Sequence, residues 1–218
     1  MREISVHQVK EVLLNAINDL AIVYPQDVYE ALEKAKETEK SERSQLGLGM
    51  LIQNAQIAKE NRIPICQDTG MTVIYLHVGQ EVHLVDGSLK EAVNDAVREG
   101  FKNNYLRYSV VDDPVFDRKN TGDNTPCILY TDIVEGDKIS FEMTTKGFGS
   151  ENCSALKMCK PAEGINGVMD FVVETVKKAG PNACPPMVIG VGVGGTFDYA
   201  AYMAKRALLR DIGSRNED

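Results

Sequence analysis

Three amphipathic helical stretches follow one another before the first strand, an order that sets this chain apart from folds opening on a βαβ unit. Ser5 with Gln8 three residues later resembles a capping box, and Val6, Val9, Leu13, Ala16, Ile17 and Leu20 recur at helical spacing, predicting a helix over 6–22. Pro25 breaks it. Asp27 is placed to cap a second helix to about residue 39, whose charges Glu33, Lys34, Lys36 and Glu37 read as a solvated face. A third helix is expected over 41–60, apolar at Leu48, Leu51, Ile52, Ala55 and Ala58. Gly47 and Gly49 weaken its start and suit close helix packing.

A first strand is expected over 71–78, then a helix over 89–101 behind the Asp86-Gly87-Ser88 punctuation. Residues 103–119 read as irregular, with Pro114 and many polar side chains around Arg107. Two strands, 127–134 and 139–145, are separated by Glu135-Gly136-Asp137-Lys138, a hairpin signal. The second runs into the polar glycine loop Lys146-Gly147-Phe148-Gly149-Ser150-Glu151-Asn152. A helix over 162–178, a short strand over 187–193 and a last helix over 197–209 complete the pattern. No repeat or linker interrupts it. The expected architecture is α/β: one domain over 1–218, a mixed β-sheet wrapped by helices with a helical N-terminal cap.

Composition narrows the function classes. With 43% apolar and 26% charged residues, the 218-residue chain has the balance of an ordinary globular protein. A net charge of −8 without a Lys/Arg cluster speaks against a nucleic-acid surface. No apolar run approaches bilayer-spanning length, and the start, Met1-Arg2-Glu3-Ile4, lacks the apolar core of a secretory signal. Five cysteines, an odd number without framework spacing, suit a reducing compartment, so a cytoplasmic location is expected.

Chemistry concentrates in Pro64-Ile65-Cys66-Gln67-Asp68-Thr69-Gly70, where a thiol, an amide, a carboxylate and a hydroxyl stand together between a proline and a glycine, just before a strand. A tight turn around a buried cysteine is the alternative. Cys184 directly precedes Pro185, as iron–sulfur ligands often do, and Cys66 lies close beside Pro64, one residue removed. Without a Cys-x-x-Cys pair, a structural zinc site is not expected. Cys127, Cys153 and Cys159 suit packing, and His7, His77 and His83 fit no standard metal triad. Gly190-Val191-Gly192-Val193-Gly194-Gly195 satisfies G-x-G-x-x-G, but Asp211 falls in a helix end and not on a second parallel strand, so dinucleotide binding is not expected. The glycine turn still suits a small anion. Arg107 reads either as a surface ion-pair partner or as a bidentate clamp for a carboxylate. Lys146 and the loop glycines raise the same choice for an anion nest.

Taken together, the Ile65–Gly70 segment, the Lys146–Asn152 loop and Ala183-Cys184-Pro185-Pro186 resemble the iron–sulfur (class I) fumarate hydratases, a family that includes the alpha subunit of L-tartrate dehydratase. The resemblance runs in order through nearly the whole chain and matches the alpha subunit or N-terminal domain. It implies a [4Fe–4S] cluster held by three thiolates with one iron open. Cys66 and Cys184 match cluster ligands; Gln67 and Asp68 match residues that act on the substrate beside the open iron; Thr69, Arg107 and Gly149 match its binding contacts. The implied partners are a small dicarboxylate, a beta subunit bringing the proposed base, and further copies in an oligomer. Nucleic acid and membrane are not among them. The implied reaction is reversible dehydration of malate to fumarate, with L-tartrate as the second substrate. In the family the third cysteine follows the Cys-Pro-Pro motif at a distance beyond Asp218, so the chain is expected to stop short of the family domain's end, unless a thiol such as Cys153 substitutes. The rival reading is a shortened, non-catalytic scaffold.

Overall fold

The computed structural model describes residues 1–216. The chain forms two compact units, Met1–Lys146 and Gly147–Asp218.

In the first unit a short strand β1 (Arg2–Ser5) leads into α1 (Val6–Leu20), α2 (Gln26–Thr38) and α3 (Glu42–Asn61). Ser5 caps α1 by accepting the His7 N–H, and Ser41 caps α3 by accepting the Ser44 N–H. Pro25, not Asp27, occupies the cap position of α2. β1 is too short to stand out in the sequence; it pairs in parallel with β3 (Val82–Val85), Arg2 opposite Val82. The glycines of α3 do not serve close packing: a Cβ on Gly47 would meet nothing within 4 Å, and one on Gly49 would meet only the flexible end of Lys36 at 3.5 Å.

The remaining elements of this unit are β2 (Met71–Gly79), α4 (Leu89–Asn103), β4 (Ile128–Val134) and β5 (Ile139–Lys146). The expected hairpin between the last two strands does not form. The sheet order is β4-β2-β5, with β4 parallel and β5 antiparallel to β2. The turn at 135–138 instead crosses the end of β2, where Gly79 N–H donates to the Lys138 carbonyl and Glu81 N–H to the Gly136 carbonyl. Gly79 permits the crossing, since a Cβ there would lie 2.4 Å from the Gly136 oxygen. As the centre strand, β2 is buried along Thr72 to Leu76, which explains its nearly continuous apolar run.

One face of β2 supplies Ile74 and Leu76 to a core completed by Val9, Leu13 and Ile17 of α1, by Val93, Ala96, Val97 and Phe101 of α4, and by Leu106. The four-residue spacing within each helix lines these side chains along one stripe, each stabilising the fold by about 1.5–3 kcal/mol when fully buried. On the other face Tyr75 stacks on Tyr130 with ring centroids 5.1 Å apart, and His77 lies 3.7 Å from both Asp132 and Glu142 carboxylate oxygens.

Residues 104–127 carry no regular element beyond a bridge between Val111 and Asn120. Side chains hold this stretch onto α4. Asn94 Oδ1 accepts the Cys127 N–H, and Arg98 pairs with Asp95 and donates from Nε to Asp123 at 2.7 Å. Burial pushes the Asp123 carboxyl up, but hydrogen bonds from Arg98 and Thr125 outweigh it and hold the group below the ordinary carboxylate range. A carboxylate with a depressed folded-state pKa stabilises the fold above its unfolded value, about 3.9, and that contribution disappears as the pH falls through the folded value. Asp123→Asn is therefore expected to lower Tm at neutral pH and to converge with the parent as the pH falls through the depressed folded-state value. Melting curves across the acid range test this, and a deficit that stays constant with pH would refute it.

The second unit comprises a four-residue helix α5 (Phe148–Glu151), a 3₁₀ turn at Pro161–Glu163, α6 (Gly164–Ala179), a 3₁₀ turn at Gly180–Ala183 and α7 (Phe197–Ala207). Lys205 of α7 donates to Glu151 of α5 at 2.6 Å. The expected strand over 187–193 is not one: this β-branched stretch enters no strand pairing among the described residues. It lies against α7 through Gly190 and Gly192, whose Cβ positions would fall 2.0 Å from the Ala204 oxygen and 2.2 Å from the Ala200 oxygen. Those glycines serve contact with a helix backbone. Among the described residues no helix is long and apolar enough to cross a membrane.

Candidate active site

The 62–70 loop leaves α3 through Arg62, which adopts the left-handed conformation at the helix end, and is braced by the N-terminal helices. Ile65 N–H donates to the Ala21 carbonyl beyond α1 at 2.9 Å, Asn54 Nδ2 of α3 donates to the Ile65 carbonyl at 2.8 Å, and Arg62 reaches Asp19. The helical cap thus fixes the backbone on which Cys66 stands. Cys66 is exposed, and its sulfur accepts the Asp68 N–H at 3.4 Å. The buried-cysteine alternative fails for this position.

Tyr24, at the α1–α2 junction, lies within electrostatic reach of that sulfur. Burial pushes its phenol up, and a charged Cys66 adds to the effect, so the phenol keeps its proton. Sequence reasoning passed over Tyr24, because its neighbour Pro25 reads only as a helix stop.

Gln67 is exposed and Asp68 is half-buried, while Thr69 is 5% exposed and donates its hydroxyl to the Arg107 carbonyl at 3.1 Å. Arg107 is thereby brought beside the Cys66–Gly70 segment through its backbone. Its side chain is exposed, and the guanidinium has no ion pair or hydrogen bond among the described residues. A charged fork without a partner among the described residues, on a backbone tied to the segment that carries a thiol, an amide and a carboxylate, is equipped to take a carboxylate ligand. Asn124, fully buried, also joins these two segments and was not singled out from sequence. The signal available was Gly122-Asp123-Asn124-Thr125-Pro126, a turn in which Asn tolerates positive φ.

In the second unit the glycine loop closes into α5, not an open loop, and α5 packs against the 180–183 turn that ends at Cys184. Gly149 is exposed at the backbone, and its carbonyl accepts the Cys153 thiol at 3.4 Å. Cys184 is exposed and held at φ 55°, with its N–H donating to the Pro181 carbonyl. Gly149 and Cys184 therefore share one region of this unit. Cys127 stands apart chemically: burial pushes its thiol up to about 11, which makes it inert.

Residues 10–218 match the family model described as Fumarate hydratase (Fumerase). The chain belongs to this fumarate hydratase family. The chain is 39% identical over 215 residues to a protein of Methanocaldococcus jannaschii provisionally named L(+)-tartrate dehydratase subunit alpha, covering 97% of this chain and 75% of that protein. It is 32% identical over 216 residues to the L(+)-tartrate dehydratase subunit alpha of Escherichia coli K12 and to that of Shigella sonnei, covering 97% of this chain and 70% of each. The family assignment expected from the three motifs holds, in its alpha-subunit form. The mixed α/β architecture with helices ahead of the sheet agrees with it.

Fumarate hydratases of this class typically use a [4Fe–4S] cluster. Among the described residues no three His, Cys, Asp or Glu side chains gather so as to hold a metal ion. The donor chemistry nevertheless suits two of the thiolates such a cluster needs. Cys66 and Cys184 are both exposed on backbone fixed by hydrogen bonds, and Cys66 already accepts an N–H at sulfur, as cluster thiolates do.

Proposed function

We propose that this chain is the alpha component of a hydro-lyase that removes water from a small hydroxy dicarboxylate, L-tartrate ahead of malate. The observation that carries the reading is the Arg107 guanidinium, without a partner among the described residues, on a backbone whose carbonyl accepts the Thr69 hydroxyl of the segment that presents Cys66, Gln67 and Asp68. The names of the relatives favour tartrate and reverse the substrate order expected from sequence. Malate–fumarate remains the second reading, on the description of the family model.

Dehydration needs a fixed carboxylate, a leaving hydroxyl and removal of the proton beside the other carboxylate. Arg107 clamps one carboxylate through two parallel N–H···O bonds, which fixes the rotation of the substrate. Gln67 hydrogen-bonds the substrate through its amide, and Asp68 orients the leaving hydroxyl by accepting a hydrogen bond from it. Gly149 offers its backbone to the substrate, and Thr69 lines this subsite through its bond to Arg107. Cys66 and Cys184 would hold the cluster, which when bound supplies a Lewis acid at the hydroxyl oxygen. The beta subunit brings the base that takes the C–H proton. Loss of that proton to the base and of hydroxide from the neighbouring carbon, together one water, converts tartrate to an enol that tautomerises to oxaloacetate.

Co-expression with the beta partner, followed by anaerobic assay with L-tartrate and malate, tests the proposal. Oxaloacetate formation with the higher kcat/KM for L-tartrate is expected. A brown, cluster-loaded complex that dehydrates neither substrate would overturn it. A colourless, folded complex after treatment with iron and sulfide would favour the scaffold reading.

A further inference from the structure

The reading of Arg107 as the carboxylate clamp leaves open what aims it. A guanidinium with no partner among the described residues takes its direction from its backbone, and that backbone lies in a stretch without regular secondary structure. Four consecutive residues of this stretch, 107–110, are held by side chains distant from them in the chain. The Arg107 carbonyl accepts the Thr69 hydroxyl at 3.1 Å, and the Tyr108 carbonyl accepts Asn120 Nδ2 at 2.9 Å. The Ser109 and Val110 N–H groups both donate to Asn124 Oδ1, at 2.7 and 3.2 Å. Asn124 Nδ2 in turn donates to the Gly70 carbonyl at 3.0 Å.

One buried amide, 0% exposed, thus spans the segment that carries Arg107 and the end of the segment that carries Cys66, Gln67 and Asp68. It sits at φ 60°, a conformation that Asn accepts and β-branched residues do not. Its own turn is anchored to α4, because Asp123 accepts Arg98 Nε at 2.7 Å and the Thr125 hydroxyl at 2.7 Å.

We infer that Asn124 is a positioning residue: it and Thr69 set the distance between the Arg107 guanidinium and the Gln67–Asp68 pair, and so match the site to the length of a dicarboxylate. Thr69 then acts through Arg107 and does not itself touch substrate. This inference rests on the proposed function, and its test separates the two.

Asn124→Gly keeps the left-handed backbone and removes all three side-chain bonds. In the alpha–beta complex, binding of succinate, an unreactive dicarboxylate, is measured by calorimetry for the parent, Asn124→Gly, Arg107→Ala and the double variant. Asn124→Gly is expected to weaken succinate about tenfold when Arg107 is present and less than about twofold when it is Ala, the non-additivity of residues acting through one contact. KM for L-tartrate should rise by a similar factor, with kcat changed less than about threefold. Thr69→Val repeats the cycle where the glycine variant does not fold, and Thr69→Ser, which keeps the hydroxyl, should restore parental binding. Equal weakening in both Arg107 backgrounds, or a lowered Tm with unchanged succinate binding, overturns the inference while the proposed function stands. A parent complex that neither binds succinate nor turns over L-tartrate overturns the function, and this role with it.

Discussion

Cys66→Ser in the alpha–beta complex is expected to lower kcat for L-tartrate and malate by roughly a thousandfold or more, an effect of about 4 kcal/mol on the barrier. Cys184→Ser should do the same. The expectation follows from ligand chemistry, because a serine hydroxyl is a harder and far less acidic donor than a thiol and does not replace it at iron. The fold should not share in the loss. Cys66 is exposed, and the bonds that fix its loop come from the Ile65 backbone and Arg62, which the substitution leaves alone. Tm is therefore expected to move by no more than an exposed substitution does, about 0.5 kcal/mol or less in stability. Cys127→Ala is the control, since its half-buried thiol, raised to about 11, is expected to leave the rates unchanged. Anaerobic rates together with bound-iron content decide the matter: undiminished rates in either serine variant would remove that cysteine from the ligand set.

The largest structural effect is expected at Phe101. This side chain, 0% exposed, ends the buried stripe of α4 and packs in the core with Leu13 and Ile17 of α1 and Ile74 and Leu76 of β2. Phe101→Ala should cost about 3–5 kcal/mol, from lost transfer free energy plus the cavity left behind. Set against a typical total of about 5–15 kcal/mol, that is enough to leave the protein marginal at physiological temperature. Val12→Ala on the outer side of α1, where Val12 is 55% exposed, should change stability by less than about 0.5 kcal/mol. Urea midpoints of the two variants compare them directly, and similar shifts would mean that the helix–sheet core does not carry the stability assigned to it.

The parts legible in the sequence are those specified by local chemistry. Helical periodicity found α1, α3, α4, α6 and α7 to within a few residues, and the proline–glycine bracket around Cys66 marked a presenting loop. The sheet order was not legible. Glu135-Gly136-Asp137-Lys138 specifies a reversal of direction, but nothing local says that β2, made some fifty residues earlier, will lie between the two strands it joins. The 187–193 stretch misled for a related reason, since its β-branched residues suit a strand while Gly190 and Gly192 answer to the backbone of α7. Arg107 could be suspected as a free cation. Its setting could not be read, because the side-chain bonds from Thr69, Asn120 and Asn124 span 38, 12 and 14–15 positions.

Placing β2 at the middle of the sheet also governs the order in which this polypeptide becomes competent as it is made. Both neighbours of β2, at Ile128–Val134 and Ile139–Lys146, leave the ribosome well after it does. Until then an apolar ribbon with two open edges waits beside nascent helices, and the loop bearing Cys66 is joined directly to its leading end. During translation that loop therefore waits for its downstream ties, to the Arg107 carbonyl and to the Asn124 amide, which come later in the chain.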